Sequence, residues 1–317
     1  MEKENEKITQ EEFNEMVNDN MRNYQLSREE SSKEVVEHLQ SEGEDLSVIF
    51  IANNEEDYEK GLKLSEALAT IQKAAEGKET LINAMFAMQT VRTTCQSNTL
   101  GDMAKTWFGS RDGLQFLSVL LKPSDDEDEE EEETDEEDDK TTEFTSILRT
   151  IVSASQNHHR NLSHIKPDFF ENLLLCLEDN VFEVAVVSNT MEVIKTCCGS
   201  EYPESKAAFF ENDGLAITET SLKAHSSRVD VQRATCEAIQ TLLEGMPGDL
   251  KTTIMKGMTS MLITLVKKNL NENPDIAEIS AKCLKILGST EDLLSEICAS
   301  SELDIVMLQE KMSSINV

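Results

Sequence analysis

Apolar residues fall at helical spacing along almost the whole chain. Near the start, Phe13, Met16, Val17 and Met21 make one stripe, and Val35, Val36 and Leu39 make a second. Each is preceded by a capping-box pattern, Thr9-Gln-Glu-Glu12 and Ser27-Arg-Glu-Glu30, in which hydroxyl and carboxylate satisfy the free amides of a helix start. Gly43 stops the second stripe, since glycine enters the left-handed region without penalty. The pattern predicts an N-terminal helical hairpin over residues 8–50. The highly charged residues 1–7 are expected to be disordered, and Asn53 to Asp57 reads as a polar linker.

From Tyr58 onward the pattern repeats. An apolar–polar–anchor motif recurs in Thr90-Val-Arg-Thr93, Ile147-Leu-Arg-Thr150, Val193-Ile-Lys-Thr196, Ala238-Ile-Gln-Thr241 and Cys283-Leu-Lys-Ile286. The last three intervals between anchors are 46, 45 and 45 residues, and the first is 57. Glycines keep time with the anchors: Gly61, Gly113, Gly214 and Gly257 each read as standing before an amphipathic helix, and Phe169 to Leu177 takes that place without a glycine. A purely helical repeat near 45 residues is the signature of an α-solenoid of HEAT or armadillo type, in which no unit buries its stripe alone and stacking completes the core. The expected fold is therefore all-α: about five repeats over residues 58–302, with residues 303–317 as a C-terminal capping helix.

Two segments narrow the type. In the unit around residues 210–243, Val231, Gln232, Ala234, Cys236, Ala238 and Ile239 fall close to the "v-q-x-x-a-c-x-a-l" pattern of an armadillo repeat, which this unit resembles. The head, with Ile8-Thr-Gln-Glu-Glu-Phe13, Val17, Asn20, Glu29-Glu30 and Ser41-Glu-Gly-Glu-Asp-Leu-Ser47, resembles the opening of the armadillo-repeat-containing protein six family. The resemblance implies a divergent, short member of that family. It strengthens the armadillo-type fold and brings no catalytic residues with it.

Charge then limits the partners. Among 317 residues, 62 Asp and Glu outweigh 29 Lys and Arg, for a net charge of −33. So negative a chain repels phosphate backbones, which excludes sequence-blind nucleic-acid binding and leaves basic protein segments as ligands. Fourteen of the fifteen residues from Asp125 to Asp139 are acidic. This block cannot bury, so residues 124–140 are expected to be a disordered insertion that replaces the short first helix of its repeat. Ser124 and Thr134 stand in it as candidate phosphorylation sites for an acidophilic kinase. No stretch approaches the length of an apolar membrane span, and the N-terminus is too charged for a signal peptide. The expected setting is the cytoplasm, with the nucleus open, and the expected state is a monomer.

Candidate chemistry adds little. The seven cysteines, Cys95, Cys176, Cys197, Cys198, Cys236, Cys283 and Cys298, are scattered and form no CxxC, which predicts buried free thiols. His158, His159 and His164 lack ligand spacing on one helix face and read as an inter-helix loop. Phosphate loop, nucleophile elbow and HExxH motifs are absent, so no enzyme activity, cofactor or metal is expected.

The function left is protein binding by a scaffold or adaptor. Candidate contact positions on the amphipathic helices are Glu66, Gln115, Glu171, Glu178, Glu219, Lys223 and Lys267, whose acidic bias suits a basic or amphipathic helical ligand. The asparagine and tryptophan ladders with which import receptors clamp extended peptides are missing: the single tryptophan is Trp107, and the anchors are Thr or Ile. Those threonines read as packing residues whose hydroxyls bond the preceding turn. The alternative function is a chaperone cofactor, a nucleotide-exchange factor of armadillo type for Hsp70-class ATPases.

Overall fold

The computed structural model describes residues 8–122, 136–163, 165–246 and 248–288. The expectations for residues 1–7, Ser124, Thr134, His164, Cys298 and the 303–317 cap lie outside the described residues. The described residues are all-helical, without a strand among them, and their fifteen helices pack consecutively in the manner of an armadillo-type α-solenoid. Contacts divide the chain into two compact units: residues up to 120 with 149–165, and residues 121–148 with those from 166 onward.

The first unit opens with α1 (Gln10–Tyr24) and α2 (Arg28–Ser41), both started by complete capping boxes. The Glu12 carboxylate accepts the Thr9 backbone N–H at 2.8 Å, and Glu30 accepts that of Ser27 at 3.0 Å. These backbone bonds hold both carboxyls below their ordinary pKa. Phe13, Val17, Val35 and Leu39 close over one another with Leu46 and Ile49. The pair is fastened to α3 (Glu55–Ala75): Arg28 donates to Glu55 at 2.9 Å and stacks 3.8 Å above the Tyr58 ring. The polar segment 53–57 is not a free linker. Asn54 caps α3 by accepting the Asp57 N–H at 2.9 Å, so residues 55–57 already form its first turn.

The remaining helices fall into five sets. The first is α3 with α4 (Leu81–Cys95). The second is α5 (Gly101–Gly109), α6 (Gly113–Val119) and α7 (Glu136–Ser155). The third is α8 (His159–Leu162), α9 (Pro167–Asp179) and α10 (Val184–Cys197). The fourth is α11 (Pro203–Glu211), α12 (Gly214–Ala224) and α13 (Val229–Leu243), and the fifth is α14 (Gly248–Asn269) with α15 (Pro274–Leu287). The anchors Thr93, Thr150, Thr196, Thr241 and Ile286 lie on the last helix of each set. The hydroxyls of Thr93, Thr196 and Thr241 donate to the carbonyl four residues back, at 2.8, 2.8 and 3.1 Å. The buried Thr150 hydroxyl accepts from Arg92 at 2.9 Å.

Two details differ from the sequence reading. The acidic insertion does not replace a first helix. That helix is α5, and the insertion joins α6 to α7. Residues 136–140 belong to α7. The glycines also divide into two kinds. Gly113 and Gly214 open helices, whereas Gly61 and Gly257 lie inside α3 and α14.

The turn before Gly214 explains the difference. Asp213 takes the left-handed conformation (φ 55°), and the missing Cβ of Gly214 would sit 2.5 Å from the Phe209 ring. Asp112 (φ 58°), Gly113 and Phe108 repeat the arrangement at the same spacing, again at 2.5 Å. The true marker is Phe-x-x-x-Asp-Gly, in which Asp tolerates the left-handed turn and Gly admits the ring. Gly61 and Gly257 follow lysines, good helix formers, and the helix runs on.

Candidate functional site

The sets expose two kinds of surface. In the second unit the last helices α10, α13 and α15 lie side by side. Lys195 reaches Glu237 at 2.8 Å and Glu192 at 3.4 Å, Arg233 pairs with Asp275, and Lys282 meets Glu278 at 3.2 Å. Charges along this row are largely satisfied by each other, and such half-exposed pairs contribute little stability. Trp107 adds nothing to a last-helix surface. It is buried in α5 (4% exposed), beneath the Arg111 guanidinium at 4.3 Å.

All seven predicted contact residues lie on helices other than the last of each set. Glu66 on α3 is exposed and Gln115 on α6 is half-buried. Glu219 and Lys223 on α12 pair with each other at 2.8 Å. Lys267 is exposed near the end of α14. Only Glu171 and Glu178, both exposed on α9, are brought into one concavity.

That concavity is a groove of about 670 Å³ between α9 and the α11–α12 segment. Its apolar lining is Leu174, Leu175, Val181, Ala216 and Ile217. Its acidic lining is Glu171, Glu178, Glu211 and Asp213, with no lysine or arginine. None of these four carboxylates has an ion-pair partner among the described residues. Both walls are fixed. The buried His225, which ends α12, donates from Nε2 to the Val181 carbonyl at 2.9 Å, tying the turn after α9 to α12. Asn212 at the turn before α12 is held by its own donation to the Ala208 carbonyl at 2.8 Å.

The sequence reading missed the apolar floor, although Leu173-Leu174-Leu175 signals it. Three consecutive leucines on a helix cannot all face one core, because neighbours are about 100° apart. Leu173 and Leu174 are buried at 0% and 1%, and Leu175 is left 36% exposed.

The candidate reactive groups are structural. The six described cysteines are buried. Burial pushes the thiols of Cys95, Cys176, Cys197 and Cys236 up to about 12, and those of Cys198 and Cys283 upward as well. Buried thiols displaced in this direction are poor nucleophiles at neutral pH. His158 caps the short α8: its Nδ1 accepts the Asn161 N–H at 3.3 Å. Its Nε2 lies 2.9 Å from the Thr106 hydroxyl, which itself donates to the Asp102 carbonyl at 2.9 Å. This fixes a neutral tautomer, and burial lowers the imidazole pKa further. No group of three or more His, Cys, Asp and Glu side chains suited to a metal ion occurs among the described residues. No helix among them is long and apolar enough to cross a membrane.

No curated protein and no solved structure matches the chain. One family model does, over residues 5–74: the Armadillo repeat-containing protein 6 N-terminal domain. The matched segment takes in α1, α2 and almost all of α3, so the hairpin and the helix that Arg28 fastens it to fall within the one matched domain. The match over this segment supports an armadillo repeat-containing protein 6-like family member.

Proposed function

We propose that this protein is a non-enzymatic protein-interaction scaffold that holds its partner on the α9–α12 groove. The observation that carries the reading is the exposed apolar floor of that groove between fixed walls. Leu175 and its neighbours are lost packing area until a partner covers them, at roughly 25 cal/mol for each Å² removed from water. The family match supports a repeat protein, and repeat proteins offer extended surfaces to other proteins.

A photoreactive amino acid placed at Leu175 of the full chain, expressed in cells, tests this directly. Discrete cross-linked protein bands are expected. They should disappear when Ile217→Asp is added and should not form from a photoreactive residue at Lys267. Absence of any cross-linked protein, or identical bands from both positions, would overturn the proposal.

A further inference from the structure

We infer that the occupant of the α9–α12 groove is a short basic amphipathic helix of a partner protein, an inference that rests on the scaffold function proposed above. The floor calls for apolar side chains. Along α9, Leu174 and Leu175 are followed one turn on by Glu178, and along α12, Ala216 and Ile217 are followed one turn on by Thr220. Ridges with this spacing accept the i, i+3, i+4, i+7 anchors of a third helix.

An extended peptide finds nothing comparable. Both walls are mainly helices, whose backbone groups are already bonded, so no sheet edge is offered for strand addition. The single asparagine of the lining, Asn212, donates to its own helix, so no amide ladder clamps a peptide backbone. The rim decides the charge. Four carboxylates without a lining cation favour lysine and arginine flanking the apolar anchors. The same rim repels nucleic-acid phosphates and anionic lipid headgroups.

The test is fluorescence anisotropy with the full chain and synthetic peptides. The parent probe is a Leu/Lys amphipathic helix of roughly 18 residues, about five turns. A second peptide has the same composition with its leucines scattered around the helix, so the net charge is unchanged. A third replaces Lys by Glu, and a fourth carries central prolines that prevent helix formation. The parent is expected to bind at least about ten-fold more tightly than the other three, a gap of about 1.4 kcal/mol. Ile217→Asp should abolish the preference for the parent over the scattered peptide. Glu171→Lys with Glu178→Lys, both exposed and free to change without unfolding, should weaken the parent about ten-fold and flatten its salt dependence. Circular dichroism and thermal melting verify that each variant is folded.

Equal binding of the parent and scattered peptides would mean attraction to net charge alone and would overturn the inference. Tight binding of the proline peptide would overturn its helical part. If no peptide binds while Leu175 still cross-links to a protein, the partner class is wrong and the scaffold function stands. If both fail, both readings fall.

Discussion

The fourth and fifth repeats carry the same spacing and solve the same packing problem differently. In the fourth, α11 and α12 are separate helices joined at Asp213-Gly214 against the Phe209 ring. In the fifth, α14 is one helix of 22 residues, and Gly257 passes through its interior with nothing beyond its own stretch of helix within 4 Å of the Cβ position. The residue before the glycine separates them: aspartate accepts the left-handed turn, whereas Lys256 continues the helix. The third repeat uses another device. Pro167 begins α9 and holds Lys166 extended (ψ 155°) after a first helix of only four residues. The first helix is thus the adjustable part of this repeat, while the anchor-bearing last helix is kept. The separate α11 also matters to the groove, since Glu211 and Asp213 lie at its end.

The largest expected effect falls on what α11 does for its neighbour. Buried Lys206 (3% exposed) donates to the Thr241 carbonyl at 2.9 Å and to the Glu244 carbonyl, completing the C-terminus of α13. Lys206→Ala would leave those acceptors unpaired, so urea denaturation should show a loss of about 3 kcal/mol. A loss below about 0.5 kcal/mol, typical of an inert surface position, would mean that water replaces the ammonium and that α11 is dispensable to α13.

Gly214→Ala comes next. Its Cβ would meet the Phe209 ring at 2.5 Å, so a loss of about 1–3 kcal/mol is expected. The smaller side chain in Phe209→Leu should relieve the clash, making the double variant more stable than the sum of the two single losses. Strict additivity would show that the ring is not what the glycine accommodates.

How much of this the sequence reveals depends on the distance over which each feature is decided. Capping boxes are settled within four residues, and Thr9 with Glu12 and Ser27 with Glu30 form as their pattern predicts. The anchors are legible because α10, α13 and α15 lie side by side, so one packing demand recurs every 45 residues or so. The glycines mislead because the turn needs Asp and a distant Phe, and glycine alone satisfies neither. Helix α5 escapes notice because it has nine residues, no side-chain cap and glycine at both ends. The groove is the least legible feature. Leu175 and Ile217 belong to different repeats, and only the packing of α9 with α12 makes them one surface.

Gly257→Ala reverses the sign of the Gly214 substitution. The position is exposed, inside a helix, and open around the added methyl. Alanine is about 0.8–1 kcal/mol better than glycine there, so a gain of up to that size is expected in thermal or urea unfolding. A loss instead would show that the fifth repeat turns at Gly257 as the fourth turns at Gly214, and the contrast between them would collapse.

The smallest effect concerns the first helix of the third repeat, the shortest of the series. Helix α8 depends on His158 Nδ1 as an acceptor for the Asn161 N–H, and protonation converts that acceptor into a donor. Burial lowers the folded-state pKa of His158 below its ordinary value near 6.5. A depressed imidazole pKa means that the unfolded chain takes up the proton more readily than the folded one. The contribution of His158 is therefore complete above the ordinary imidazole range and is lost as the pH falls through the lowered folded value. Hydrogen exchange at Asn161 and Leu162, compared at matched intrinsic rates, should show protection falling as the pH drops below about 6. His158→Asn keeps a short acceptor that does not titrate and should remove that dependence. If protection in the wild-type chain is flat across this range, the cap of α8 is held by contacts other than the neutral imidazole.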